Sequence, residues 1–299
     1  LTDDQGYGDV SSHGNPVVRT PQLDKLRGQS VRLTDFSVSP CCSPTRCALM
    51  TGMHEFKSGV THTVLPYRRM DRRRVTIAQA LKSAGYATGI FGKWHLSIED
   101  GYRPHQRGFD VSIMTRGDSQ HSHFDPTILR NGVPERRQGY RTDILFDEAM
   151  SFIDRNRAGP FFCYIPTYSP HGPLKCPPEY EAPYRAKVSA PAAAFFGMVA
   201  NIDFNIGRLM DHLARLGLER RTLVIFMNDN GGTTGVDIWN AGMRGTKGTP
   251  WRGGTRACSF WRLPGTFPPR DVSDMAAHID VYPTLVELAG VALDSSVAA

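Results

Sequence analysis

Apolar positions along this chain recur with two periods, one near four residues and one of two. After Thr20-Pro21, where proline suits the first turn of a helix, Leu23 and Leu26 fall on one helical face. Val31 to Phe36 alternates as a half-buried strand does. Residues 75–84 (VTIAQALKSA) carry helical spacing that Gly85 ends, and Tyr86 to Phe91 then reads as a strand. The alternation continues with a helix over 142–156, a strand over 160–166 (PFFCYIP) and a helix over 195–216. An all-apolar strand over 222–227 (TLVIFM) and a last helix over 279–289 complete it. Short apolar strands separated by amphipathic helices predict an α/β fold: a central, mostly parallel (mixed) sheet flanked by helices on both faces.

In such sheets ligands sit beyond the carboxyl ends of the strands. Each of these strands runs into a polar segment. TLVIFM leads into Asn228-Asp229-Asn230-Gly231-Gly232, and YATGIF into Gly92-Lys93-Trp94-His95. PFFCYIP leads into Thr167-Tyr168-Ser169-Pro170-His171, and the strand near Val31 into Cys41-Cys42-Ser43-Pro44-Thr45-Arg46. The opening Thr2-Asp3-Asp4-Gln5-Gly6 fits the same place. Five segments therefore bring ionisable groups to one side of the sheet.

Composition narrows the class. The chain has 299 residues, 40% hydrophobic and 21% charged, as ordinary globular domains have. No run of 18 apolar residues exists, so no helical membrane span is expected. The net charge of +6 includes a crowd of arginines at 68, 69, 72, 73 and 74. They suit an anionic partner or a solvated loop. Neither zinc-finger spacing nor an aromatic-basic string is present, which argues against nucleic acid. The six cysteines match no zinc site and no dense disulfide framework.

Asp3, Asp4, Asp229 and Asn230 offer oxygen alone, the donor set of Ca²⁺ or Mg²⁺ rather than zinc. Cys42 precedes Pro44 and an apolar run, which places it at a helix N-terminus where amides and dipole favour an anion. Arg46 adds a cation one turn in. Taken alone, this spacing fits an activated thiol equally well.

Residues 42–52 (CSPTRCALMTG) match the type I sulfatase signature C-x-P-[ST]-R-x-x-L-[LM]-T-G position for position. Asp3-Asp4-Gln5-Gly6-Tyr7-Gly8-Asp9 resembles the opening of that family. Gly85-Tyr86-Ala87-Thr88 with Gly92-Lys93-Trp94-His95 resembles its second signature. Pro170-His171-Gly172-Pro173, Asn228-Asp229-Asn230-Gly231 and Arg244-Gly245-Thr246-Lys247-Gly248 come in the family's order. Thr45 stands where serine is commoner, and Cys41 where a small or aliphatic residue is usual.

The resemblance implies an alkaline-phosphatase-like fold and hydrolysis of sulfate monoesters. It implies that a maturation enzyme converts Cys42 to formylglycine, whose hydrate is the nucleophile. It implies Asp3, Asp4, Asp229, Asn230 and modified Cys42 as ligands of Ca²⁺, with Mg²⁺ as the alternative. Arg46 would hold the hydrate, and Lys93 and Lys247 the sulfate. His171 with Lys247 would serve the leaving oxygen, and His95 would act as the base. The substrate is expected to be a sulfated small molecule or saccharide, with His121, Ser122, His123 and the arginine cluster as candidate contacts. A phosphonate or phosphate ester hydrolase, or a non-catalytic relative that binds sulfated glycans, are the alternatives. On the same resemblance, residues 1–299 are expected to be a catalytic domain cut short at both ends, without the first central strand and the C-terminal subdomain. The expected location is the periplasm or the cell exterior.

Overall fold

The computed structural model describes residues 1–115 and 123–292. His121 and Ser122 lie outside the described residues.

Helix α1 (Pro21–Gly28) precedes strand β1 (Val31–Ser37) and helix α2 (Cys42–Thr51). Helix α3 (Ile77–Ser83) then leads to β2 (Ala87–Phe91), β3 (Val111–Thr115) and the hairpin β4 (Thr127–Arg130) and β5 (Val133–Arg136). Helix α4 (Arg141–Asn156), β6 (Phe161–Tyr164), the short α5 (Pro178–Glu181), the long α6 (Ala190–Arg215) and β7 (Val224–Met227) come next. The short α7 (Arg252–Thr255), β8 (Ser259–Arg262), β9 (Arg270–Ala277) and α8 (Val281–Leu288) end the described chain.

Every strand and helix expected from the apolar pattern is present. The start of α3 shows why. Thr76 accepts from the Gln79 amide at 3.1 Å while the Gln79 side chain accepts from the Thr76 amide at 2.9 Å, so two otherwise orphaned donors are satisfied.

The strands form two mixed sheets, β7-β8-β1-β9 and β5-β4-β3-β2-β6. Pairing is parallel where β2 meets β3 and β6, and antiparallel through the β4–β5 hairpin and around β8. Leu1 and Thr2 stitch the two sheets together. The Leu1 amino group donates to Ile165 O at 3.1 Å and the Thr167 amide to Leu1 O at 2.9 Å. On the other side the Thr2 amide donates to Met227 O at 3.0 Å and the Asp229 amide to Thr2 O at 3.1 Å. This is the ladder of parallel neighbours, and the sheets are two halves of one.

Helices cover both faces. Helices α2, α3 and α8 pack together on one side, around Leu49, Ile77, Leu81, Tyr282 and Val286. Helices α1 and α4 pack on α6 on the other, around Leu23, Phe146, Phe152, Ile202 and Leu213. Between β6 and β7 lies an apolar cavity of 610 Å³, lined among others by Phe161, Cys163, Leu209, Leu213, Val224 and Phe226.

Candidate active site

The loops after β2, β6 and β7 and the start of α2 converge with the opening residues at the seam. Close backbone approach makes this possible. Gly92 has φ of 138°, and a Cβ there would stand 1.9 Å from Pro166 O. Only glycine lets the end of β2 pass the end of β6, and the Lys93 amide then donates to Pro166 O at 2.7 Å. A Cβ on Gly231 would meet Gly253 O at 1.9 Å, so the turn after Asn230 is closed to larger residues.

Cys42 is the first residue of α2, as the sequence predicts, and all ten residues of that helix are buried. Two side chains tie its first turns to the loop after β2. Ser43 Oγ donates to His95 O at 2.8 Å, and Arg46 Nη1 donates to Lys93 O at 2.8 Å. Arg46 also donates through Nε and Nη2 to Asp229 Oδ2, at 3.0 and 2.7 Å. The guanidinium thus holds three chain segments in one place.

Buried carboxylates and cations are matched around Cys42. Lys93 Nζ lies 2.8 Å from Asp3 Oδ2, Lys247 Nζ 2.6 Å from Asp4 Oδ1, and Arg46 on Asp229 as described. Burial most strongly opposes charge on Lys93, but Asp3 together with Cys42 and Asp229 outweighs it and raises the ammonium above its ordinary range. Burial likewise opposes charge on Asp3, and Lys93, Arg46 and His171 together overcome it, so this carboxyl sits below its usual range. His171 Nε2 lies 3.7 Å from Asp4 Oδ2. His95 is held neutral, first by burial and then by the charges of Lys93, Arg46 and Arg68. A neutral imidazole is the form that accepts a proton. Asp4 and His95 both adopt left-handed backbone conformations, with φ of 67° and 61°. Such conformations in residues other than glycine cost energy and cluster at working sites.

Burial weighs against an activated thiol here. Burial, joined by Asp3 and Asp229, pushes the Cys42 thiol up to about 12, against the opposing effect of Lys93. The helix N-terminus is present, but burial and the surrounding carboxylates win, and an unmodified Cys42 is a neutral thiol at pH 7.

The oxygen donors beside Cys42 are of the kind a hard cation takes. Sγ of Cys42 and carboxylate oxygens of Asp3 and Asp4 lie within 4.8 Å of one another. Asp3 Oδ1 and Asn230 Oδ1 are buried acceptors with no hydrogen-bond partner. Orphaned buried oxygens are costly unless something positive meets them. Asp229 stands slightly apart, with Oδ2 given to Arg46 and Oδ1 accepting from the Asp4 amide at 3.3 Å.

The arginine cluster is largely absorbed by its neighbours. Arg73 pairs with Asp71 at 2.9 Å, Arg69 with Glu99 at 2.5 Å, and Arg72 lies over the Tyr102 ring. Of this cluster, Arg68 carries its charge as far as His95. Sequence reasoning missed Arg141, the first residue of α4, which lines a small polar pocket with Lys93, His95 and His171. Its only sequence signal is an arginine at a helix start, where acidic residues are the ordinary choice.

The sulfatase family model matches residues 1–291. The chain is 31% identical to arylsulfatase J of Mus musculus over 99% of its own length and 53% of that protein. It is 32% identical to arylsulfatase A of Homo sapiens over 98% of its length and 64% of that protein. It therefore spans between half and two thirds of these curated relatives. Among solved structures, Ps i-CgsB in complex with k-i-k-neocarrahexaose superposes with a TM-score of 0.92 at 28% identity, covering 100% of this chain and 72% of that one. A phosphonate monoester hydrolase of Agrobacterium radiobacter shares the fold, with a TM-score of 0.72 at 20% identity over 98% of this chain and 73% of that one. With its motifs gathered at one seam and the family model running through almost all of it, this chain belongs to the sulfatase family.

Proposed function

We propose that this chain hydrolyses sulfate monoesters, with formylglycine derived from Cys42 as the nucleophile and a sulfated saccharide as the substrate class. The observation that carries the reading is the position of Cys42. It sits at the buried start of α2, beside Asp3 and Asp4 and within the influence of Lys93 and Lys247, the cations paired with those two carboxylates.

Asp3, Asp4, Asp229, Asn230 and the modified Cys42 would hold a divalent cation, Ca²⁺ or Mg²⁺. When bound, the cation supplies Lewis-acid stabilisation of negative charge on the sulfate oxygens. Lys93 and Lys247 orient the sulfate and meet the charge that grows as the S–O bond breaks. One hydroxyl of the hydrate would bond to sulfur as the S–O bond to the alcohol breaks, and the proton it gives up would balance the one that His171 or Lys247 donates to the leaving oxygen. His95, neutral and tied by its carbonyl to Ser43, would then take the proton of the remaining hydroxyl. Sulfate would leave with the electrons of its C–O bond, the aldehyde would return, and addition of water would restore the hydrate, a cycle of covalent catalysis. Arg46 keeps Asp229 and the Lys93 loop in place beneath these groups.

The saccharide preference rests on the relative that binds a neocarrahexaose. A formylglycine-generating enzyme is the required partner. The periplasm or the cell exterior is the location inferred from the family. No described helix is long and apolar enough to cross a membrane.

The test is the mass of the Cys42 peptide after co-expression with a formylglycine-generating enzyme, followed by turnover of an aryl sulfate and an aryl phosphonate. Formylglycine with faster sulfate turnover is expected. Faster phosphonate turnover would overturn the assignment, and formylglycine without any turnover would revive a binding role.

A further inference from the structure

A second buried cluster, distinct from the ion pairs around Cys42, lies behind the turn that joins β1 to α2. Its members come from three places. Ser39 belongs to that turn, Glu55 to the turn Glu55–Ser58 that follows α2, and His278 to the junction of β9 with α8. All three are buried. Ser39 Oγ donates to Glu55 Oε1 at 2.5 Å and lies 3.2 Å from His278 Nε2. His278 Nδ1 lies 3.2 Å from Ser37 O.

These contacts fix where the hydrogens are. A carbonyl oxygen only accepts, so Nδ1 donates to Ser37 O. The Ser39 hydroxyl gives its proton to Glu55, so its oxygen accepts and Nε2 donates to it. Both ring nitrogens carry hydrogen, and His278 is a cation with Nε2 3.7 Å from Glu55 Oε2. His54 also approaches this oxygen, but its Nδ1 accepts from the Phe56 amide at 3.3 Å, so His278 supplies the positive charge. Burial opposes charge on Glu55, but His278 and Ser39 bring its carboxyl down to about 2. In a hydrolytic triad the histidine stands between hydroxyl and carboxylate and takes the proton. Here the hydroxyl stands between the other two and is held by both, which suits a clamp and not a nucleophile.

The clamped residue bears on the catalytic groups. Ser39 O accepts from Thr45 Oγ1 at 3.2 Å, one turn into α2. Pro40 O accepts from the Gly248 amide at 2.8 Å, next to Lys247. Cys42, two residues beyond Pro40, is the first residue of α2. A shift of Ser39 is therefore passed both to the start of α2 and to the Lys247 loop.

We propose that Glu55 and His278 are positioning residues: they clamp Ser39, and through the Ser39–Pro40 turn they set where the nucleophile at position 42 stands against Lys247. This rests on the sulfatase reading and adds to it. Neither side chain meets the substrate in this arrangement, so their loss falls on bond formation and not on binding.

The experiment takes Glu55→Ala, Glu55→Gln, His278→Ala and His278→Gln, each co-expressed with a formylglycine-generating enzyme. Turnover of an aryl sulfate and the melting temperature are measured, with kcat expressed per formylglycine found in the Cys42 peptide. The alanine variants are expected to lose about 10- to 100-fold in kcat with KM within about 2-fold of the parent, the range for a small misplacement of a reacting group. The glutamine variants keep a polar partner for Ser39 and should recover part of that loss. Where an alanine variant does not fold, its glutamine counterpart carries the test, with a smaller loss still confined to kcat. Hydrogen exchange gives the comparison without turnover. Amides of residues 38–48 and 246–249 should exchange about 10-fold faster in the variants, with protection elsewhere unchanged. A parent inactive on every sulfate ester would sink the sulfatase reading, while exchange would still decide for or against the clamp. An unchanged kcat in folded variants overturns the proposal. So does a loss shared by kcat, KM and protection throughout the chain.

Discussion

Where β6 and β7 end, Leu1 and Thr2 close the gap between them with backbone hydrogen bonds. Along the preceding length of the same strands the gap holds an apolar cavity of 610 Å³. The first region is tight and charged, and its geometry is fixed by ion pairs, short hydrogen bonds and glycines that admit no side chain. The second is lined by apolar side chains of β6, β7 and α6, and none of them directs a particular atom to a particular place. One sheet thus carries charge at its rim and apolar surface along its length. Precision at the site comes from electrostatic pairing across loops.

The sharpest way to break that contrast is at the nucleophile. Cys42→Ala is expected to lower turnover of a sulfate ester by about 10⁴-fold or more in matured protein. Its effect on stability should stay near ~1 kcal/mol, read by urea unfolding. A comparable loss in both would place Cys42 in the scaffold. Next is Arg46→Ala, which leaves the buried Asp229 without its partner and should cost about 3–5 kcal/mol. Lys247→Ala should cost far less, because Lys247 is 22% exposed and Asp4 keeps Asn230 as a hydrogen-bond donor.

Asp9 sharpens the comparison through pH. It is buried and accepts from the Gly6 amide at 2.8 Å, and burial pushes its carboxyl up to about 7. The folded state therefore holds this proton more tightly than the unfolded chain does. Its contribution to stability is fully present below about pH 4, the ordinary carboxylate value, and is lost as pH rises through about 7. Asp9→Asn keeps the acceptor and should flatten the melting temperature between pH 4 and 8. An unchanged slope would assign the dependence to other groups.

The sequence made much of this visible. β1 announced itself by alternation and β2, β6 and β7 as short apolar stretches, and the polar residues after them are the ones that meet at the seam. β8, β9 and the β4–β5 hairpin escaped because they lack that signature. β9 is mostly exposed, with Asp271, Ser273 and Asp274 along it, and β5 carries Pro134 and Glu135 at a sheet edge. Their places are set by partners distant in the chain, as when Leu33 pairs with Val272. The candidate catalytic residues were legible because each lies inside a short motif. Arg141 was not, since only the fold stacks it on Tyr168 beside the site. The partners of Arg69 and Arg73 were equally hidden, and a run of like charges proved to be mostly paired.

The three ion pairs around Cys42 also have a thermodynamic meaning. Asp3 and Asp4 have Lys93 and Lys247 as counter-ions, so whatever claims those carboxylates sets the two ammonium groups loose. Whatever claims the ammonium groups bares the carboxylates in turn. Occupants of the two halves of the site therefore favour each other, and linkage makes that help equal in both directions. Cooperativity between a cation and an anion is written into a cluster that each would otherwise have to break alone.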